Sequence, residues 1–424
     1  MRFTGLWRHA DFLKLWAGQT VSELGSRITR DGLPLAAVLT LGATPAQMGL
    51  LAAIGSAPVL LLGLVAGVWV DRLRRRPVLI AADLGRAALL ITIPIAALLG
   101  ALTIGHLYLV AALVGILTLF FDVAYQSYLP TLVERENIVE GNSKLALSGS
   151  IAEFAGPTLA GFLVQTLTAP IAILFDALSF LVSVVLVALI RKPERLPVPT
   201  QERKTTGHEA VEGLRMVLDN PVLRAFASRS GTASFFGNFL AGLYGLYAIR
   251  VLGLGPAALG VIIAMGGAGD FLGALLARRV VRRIGLGPTI IASSVLSGFI
   301  GFLLPLAGGP PIMAATFLVA GQLCGDMART IYDINAVSLR QVITPDRLLG
   351  RTNASMQLLE AGIGPIGALV GGILGEAIGV RQAVFVSALG SLFASLWLIV
   401  SPVRRLRVEP SSVEPQCSER GLPL

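Results

Sequence analysis

Apolar runs of about twenty residues or more, separated by short and often basic loops, leave this chain very few ways to fold. A bilayer core is roughly 30 Å thick, so a spanning helix needs about 20 mostly apolar residues. On that ruler the runs lie near 15–41, 46–70, 78–100, 106–132, 144–166 and 170–190, then near 222–250, 256–277, 288–307, 312–339, 355–378 and 381–401. Backbone polar groups find no water inside a bilayer, so runs of this length must close their hydrogen bonds internally as helices. The expected fold class is an all-α polytopic membrane protein, with twelve transmembrane helices in two six-helix pseudo-symmetric bundles. Only 14% of the residues are charged, where an ordinary soluble domain carries about 25%. The 48 glycines suit spanning helices, in which glycine is commoner than in soluble ones.

The net charge of +9 could point to nucleic acid. Its arginines, however, cluster in alternate short loops: Arg72, Arg74, Arg75 and Arg76; Arg135; the interval 191–220; Arg278, Arg279, Arg282 and Arg283; Arg347 and Arg351. The other set of loops is nearly bare, with Arg250 and Arg381 as its main exceptions. Arginine and lysine favour the cytoplasmic side, which predicts an inner-membrane protein with both termini in the cytoplasm and no nucleic-acid partner. The N-terminal stretch shows no small-residue cleavage site, so no removable signal peptide is expected. Cys324 lies in an apolar run and Cys417 in the polar tail, so a structural disulfide is not expected. The sustained polar interval divides the chain into a bundle over 1–190, a cytoplasmic linker over 191–221, a second bundle over 222–403 and a polar tail over 404–424. Within the linker, Val211, Leu214 and Leu218 have helical spacing, predicting a helix on the inner membrane surface.

The two halves repeat. Asp122 with its following Val-Ala-Tyr-Gln-Ser answers Asp333 with Ile-Asn-Ala-Val-Ser, and in the same register Asn142 falls on Asn353. Gly156-Pro157 answers Gly364-Pro365 with a three-residue slip. The basic stretch Gly67-Val-Trp-Val-Asp71-Arg72-Leu-Arg74-Arg75-Arg76 has a weaker copy, aligned as Gly273 to Arg283, in which Ala277 stands where the first has Asp71. With six runs in each half, the copies should be related by an axis along the membrane normal.

Gly67-x-x-x-Asp71-Arg72-x-x-Arg75-Arg76 resembles the signature loop of the major facilitator superfamily. Gly156-Pro157-x-x-Ala160-Gly161 resembles the motif of its exporters. Phe12-Leu-Lys-Leu-Trp16, Gly18-Gln-Thr-Val-Ser22 and Tyr128-Leu-Pro130 resemble its twelve-helix drug-efflux branch, which includes macrolide and enterobactin exporters. The resemblance covers nearly the whole chain. It implies a secondary active transporter that exports a small amphipathic molecule by alternating access, in exchange for protons and without a bound cofactor. The alternative on the same fold is an importer or facilitator of a small solute. Two departures matter: Arg74 replaces the usual loop glycine, and the fourth run lacks the membrane-embedded arginine of many proton-coupled exporters. The family's proton route is therefore not carried over whole.

Candidate site residues follow from charges inside apolar runs, which cost on the order of 2.5–3.5 kcal/mol each and normally face a cavity or a partner. Gln19, Glu23, Arg27, Arg30 and Asp31 share one helical face. Glu23–Arg27 and Arg27–Asp31 are each spaced to pair, either as a structural ion pair or as a carboxylate that releases its arginine on taking a proton. Glu23, Asp31, Arg27 and Glu153 are the proton-coupling candidates. Gln19, Asp122, Tyr125, Phe236, Phe239 and Glu360 are the substrate-cavity candidates, with Asp270, Asp326 and Arg329 as further residues of the second half. Asp83 and Arg86 open the third run, where pairing with the basic-loop arginines would account for them. Gly67, Asp71, Arg72, Arg75 and Arg76 form a gating-loop candidate, and Gly156, Pro157 and Gly161 the helix-5 motif, in which Pro157 removes a backbone donor and can bend the helix. No Gly-x-x-x-x-Gly-Lys-Ser/Thr loop, Gly-x-Ser-x-Gly or His-Glu-x-x-His occurs, and the three histidines do not cluster. Neither direct ATP coupling, an enzyme, nor a metal site is expected. The partners implied are the lipid bilayer, a small-molecule substrate and protons, with the chain acting as a monomer.

Overall fold

The computed structural model describes residues 5–70, 72–192, 194 and 206–405. Every apolar run forms helix, and no strand occurs among the described residues. The first half contains α1 (Ala10–Leu39), α2 (Pro45–Val70), α3 (Arg75–Leu98), α4 (Ile104–Leu132), α5 (Ile138–Leu167) and α6 (Ala169–Ala188). After α7 (Thr206–Asp219) come α8 (Pro221–Gly237) and α9 (Phe239–Leu246), the latter running into a π-helical turn over Tyr247–Val251. Then follow α10 (Pro256–Ile284), α11 (Leu286–Ile300) with the short α12 (Leu303–Leu306), α13 (Pro311–Ile343), α14 (Asp346–Ile378), α15 (Val380–Ala394) and the short α16 (Leu396–Ile399). Among the described residues, ten helical stretches are long and apolar enough to cross a membrane. Outside that set fall α1, which carries Glu23, Arg27, Arg30 and Asp31, and the α8–α9 run, which is interrupted at Asn238.

The duplication is exact enough to read in backbone angles. The second copy lies 211 residues after the first: α1 and α8 begin at Ala10 and Pro221, α3 and α11 at Arg75 and Leu286, α6 and α15 at Ala169 and Val380. Gly42 and Gly253, in this register, share φ of 67°, and Thr168 at φ 104° answers Gly379 at φ 99°. This left-handed region favours glycine, so Thr168 holds its turn at a cost its repeat partner avoids. The same register corrects the alignment of the basic stretch, because Arg282 rather than Ala277 falls opposite Asp71. Asp71 itself lies outside the described residues.

Small residues set how the halves meet. Gly49 of α2 lies against Gly372 of α14, where an added methyl would come within 2.6 Å of the facing Cα. Gly161 of α5 likewise lies against Pro256 and Gly260 of α10. These are the two symmetry-related forms of one contact. Backbones approach this closely only where side chains are absent. Both crossings lie near the end of the bundle away from the basic loops. Toward the basic end, Leu60 still touches α14 at Gly362 and Phe154 touches α10 at Gly267, but Gly63 and Gly67 of α2 face no atom within 4 Å.

The amphipathic linker helix is present as α7. Rather than standing apart, it docks on α14: Gly213 packs against the Arg351 backbone, Val217 is fully buried, and Glu212 pairs with Arg351.

Candidate functional site

Two polar regions interrupt the apolar interior. The first joins α1 to α5. Gly156, on α5, leaves room for the Arg27 stem, since a methyl there would collide with it. With the helices so close, Glu153 pairs with Arg27 and also accepts from Arg30 at 2.8 Å. Arg27 remains 3.9 Å from Glu23. The Arg27–Asp31 pair expected from spacing gives way to Arg27–Glu153, because the α5 carboxylate reaches the guanidinium across the crossing. Asp31 keeps a buried oxygen with no hydrogen-bond partner. Glu153 is one turn from Pro157, whose carbonyl lies against Gly260 of α10, so this cluster sits beside the interface of the halves. Three carboxylates and two guanidiniums are gathered there. Gln19 is half-buried two turns down the same helix.

The second region is a cavity of about 520 Å³ lined by α8, α11, α13, α14 and α15. Asp326, Arg329, Asp333 and Glu360 lie in its wall, together with Arg229. Arg329 contacts Asp326 at 3.3 Å and Asp270 at 3.9 Å, and Thr330 also bonds Asp270. Arg229 stacks over the Tyr332 ring at 3.7 Å and donates to Ser294 at 3.3 Å. Glu360 lies in the wall of this cavity. Arg229 was missed; its signal is an arginine inside the apolar run 222–250, well away from that run's ends at Arg224 and Arg250.

The remaining candidates separate. Asp122 is exposed on α4, away from that cavity, while Tyr125 stacks on Phe121 with its hydroxyl buried and unpartnered. Phe236 and Phe239 are packing residues instead of cavity walls: Phe239 is buried against Gly371, and Phe236 fills the hollow left by Gly390. Helices with glycine at those positions pull aromatic rings into their contacts. In the basic loop, Arg76 donates to the carbonyls of Val187 and Ala188 at the end of α6. Glu194 accepts from the backbone amides of Arg75 and Arg76 at 2.6 and 3.1 Å, capping α3 where the helix dipole favours an anion. Arg72 is exposed. The pairing expected between Asp83 and the loop arginines is also corrected, since Asp83 pairs with Arg86 one turn along α3. Among the described residues, no group of three or more His, Cys, Asp or Glu is placed to hold a metal ion.

Comparison with known proteins agrees with this architecture. The family model described as transmembrane secretion effector matches residues 4–419. The multidrug efflux pump Tap of Mycolicibacterium fortuitum is 27% identical over 416 residues, covering 93% of this chain and 96% of its own. An MFS-type transporter of Bacillus subtilis, YfiS, is 26% identical and covers 91% of each chain. The crystal structure of a mutant of the nucleoside transporter NupG superposes with a TM-score of 0.74 at 14% identity, covering 92% of this chain and 99% of its own. The chain belongs to the transmembrane secretion effector family of the major facilitator superfamily.

Proposed function

We propose that the protein is a secondary active exporter of a small amphipathic molecule, driven by protons moving inward. The observation that carries this is the α1–α5 charge cluster, held halfway through the bundle beside the interface of the two halves. Three carboxylates (Glu23, Asp31, Glu153) face two guanidiniums (Arg27, Arg30). One added proton balances the set. Protonating Glu153 would release both arginines at once, and a proton shifts the conformational equilibrium only through such a difference between states. The basic end is read as cytoplasmic from its arginines, with both termini inside and the membrane the inner one. Transport would then follow a cycle in which the two six-helix halves rock about the interface. The basic loop is the candidate gate on that side. The efflux-pump relative supports export over import.

Everted vesicles test this. A susceptibility panel on deletion and overexpression strains identifies a transported compound, whose uptake into everted vesicles is then followed. Concentrative uptake that a protonophore abolishes, and that falls at least tenfold in Glu153→Gln, is the expected result. Uptake that merely equilibrates and ignores the protonophore would make the chain a facilitator.

A further inference from the structure

The two halves share a backbone but not an interior. In the first half, the space between α1, α3, α4 and α6 is plugged. The Arg86 guanidinium lies between the rings of Phe121 and Phe180, at 4.3 and 4.1 Å from their centroids, and is paired with Asp83. Asp176, also buried, accepts from Ser179 at 3.1 Å. Asp83, Arg86, Asp176 and Phe180 are all at most 3% exposed.

Each of these four residues has a serine 211 positions later: Ser294, Ser297, Ser387 and Ser391. All four serines line the 520 Å³ cavity. The stacking ring persists, since Tyr332 stands at the position of Phe121 and still carries an arginine over its face. That arginine, however, is Arg229, which comes from α8 at the place of Gly18 and leaves the core of the space empty. The cavity is thus the volume that a guanidinium, a phenyl ring and two carboxylates occupy in the other copy.

Its wall also has a preference. Asp326, Asp333 and Glu360 outnumber Arg229 and Arg329 by one charge. Three wall hydroxyls already donate their protons to backbone carbonyls: Ser387 to Phe236 at 2.7 Å, Ser234 to Glu360 at 2.9 Å and Ser297 to Gly325 at 3.4 Å. Their oxygens keep acceptor capacity, although that of Ser234 already takes one N–H from Asn238 at 3.4 Å. Such a wall favours a cation that brings its own N–H donors. Its size falls within the roughly 300–1,000 Å³ of small-molecule sites.

We propose that this second-half cavity is a binding site for an amphipathic organic cation, an ammonium, amidinium or amine-bearing aromatic cation whose body fills the space of the missing plug. It rests on the exporter reading and narrows the cargo by charge.

The test uses the full chain in nanodiscs without any gradient, with ethidium as the cationic probe and 8-anilinonaphthalene-1-sulfonate as the anionic one. Fluorescence titration should show saturable ethidium binding, weakened at least tenfold by Asp326→Asn. The triple variant Ser294→Asp, Ser297→Arg, Ser391→Phe rebuilds the plug and should lose ethidium binding, while a thermal melt reports that it is folded. Thr166→Ala, on an exposed face of α5 outside the cavity, should keep the affinity within about twofold. Should the triple variant misfold, Ser391→Phe alone carries the test. Absence of ethidium binding by the parent, parent-like binding by the folded plugged variant, or tighter binding of the anion would each overturn the assignment. Because binding is measured at equilibrium, a protein that binds ethidium here yet fails to concentrate any cargo in vesicles keeps the site and loses the exporter reading.

Discussion

Arg250 is the residue whose loss should move the whole molecule. It sits in the π-helical turn that ends α9, and its guanidinium donates to Ala43 and Val38 carbonyls of the other half at 2.8 and 2.9 Å. Val38 is in the last turn of α1, where unsatisfied carbonyls and the helix dipole both favour a cation. The two bonds exist only while this end of the bundle is closed. Charged hydrogen bonds are worth roughly 1.5–3 kcal/mol each, but Arg250 is partly exposed, and water replaces part of that on opening. A net loss of about 1–3 kcal/mol is reasonable for Arg250→Ala, which corresponds to a population shift of about 5–150-fold. The shift must run away from the state that holds these two bonds, toward one open at this end and closed at the basic end. Spin labels at Val139 and Ile284, both exposed at the basic ends of α5 and α10, report it by pulsed distance measurement. Arg250→Ala should convert a long-distance population into a short one, and Arg250→Lys, which keeps the charge but not the two-pronged contact, should fall between. An unchanged distance distribution in Arg250→Ala would refute the latch.

Two further substitutions probe the scaffold. Gly161→Val places a branched side chain against the Pro256 carbonyl and the Gly260 Cα; it should wedge α5 from α10, abolish transport and raise thiol labelling at the end away from the basic loops, with insertion intact. Parental transport by Gly161→Val would show that the crossing is not obligatory. Arg86→Ala leaves Asp83 buried without its partner, a change that costs about 3–5 kcal/mol in comparable buried pairs. It should lower the melting temperature clearly, while Arg86→Met combined with Asp83→Leu recovers most of the loss, and a melt matching the parent would mean the sandwich contributes nothing.

The helices and the repeat were legible because both are written in one dimension: run length fixes the spans, and Asp122 with Asp333 already sits in the register that the backbone angles confirm. The charged face of α1 was legible for the same reason. Its partner was legible only in part, since spacing offers Glu23 and Asp31 alike to Arg27 and nothing local says that Gly156 brings Glu153 closer. Phe236 and Phe239 misled because aromatic residues read alike whether they face a cavity or fill the hollow of a glycine on another helix. Serine carries almost no signal in an apolar run. Ser294, Ser297, Ser387 and Ser391 mean something only when set against what the first copy has in their places.

That comparison also separates what the fold needs from what each half does. The glycine crossings occur in both copies, as does a helix-capping pair: Gln165 accepts from the Ala257 amide, and its repeat partner Glu376 accepts from Ala46. Each caps a helix of the opposite half, so the closed end is held by symmetric means that neither half supplies alone. Three features break the symmetry. Arg27 answers Asn238, Arg86 answers Ser297, and Arg250 answers Leu39. The first places the charge cluster in one half, the second places the cavity in the other, and the third adds a latch between them. With the charge cluster on one side of the interface and the cavity on the other, the proposed coupling of cargo to protons would run through the shared interface, the one element that touches both.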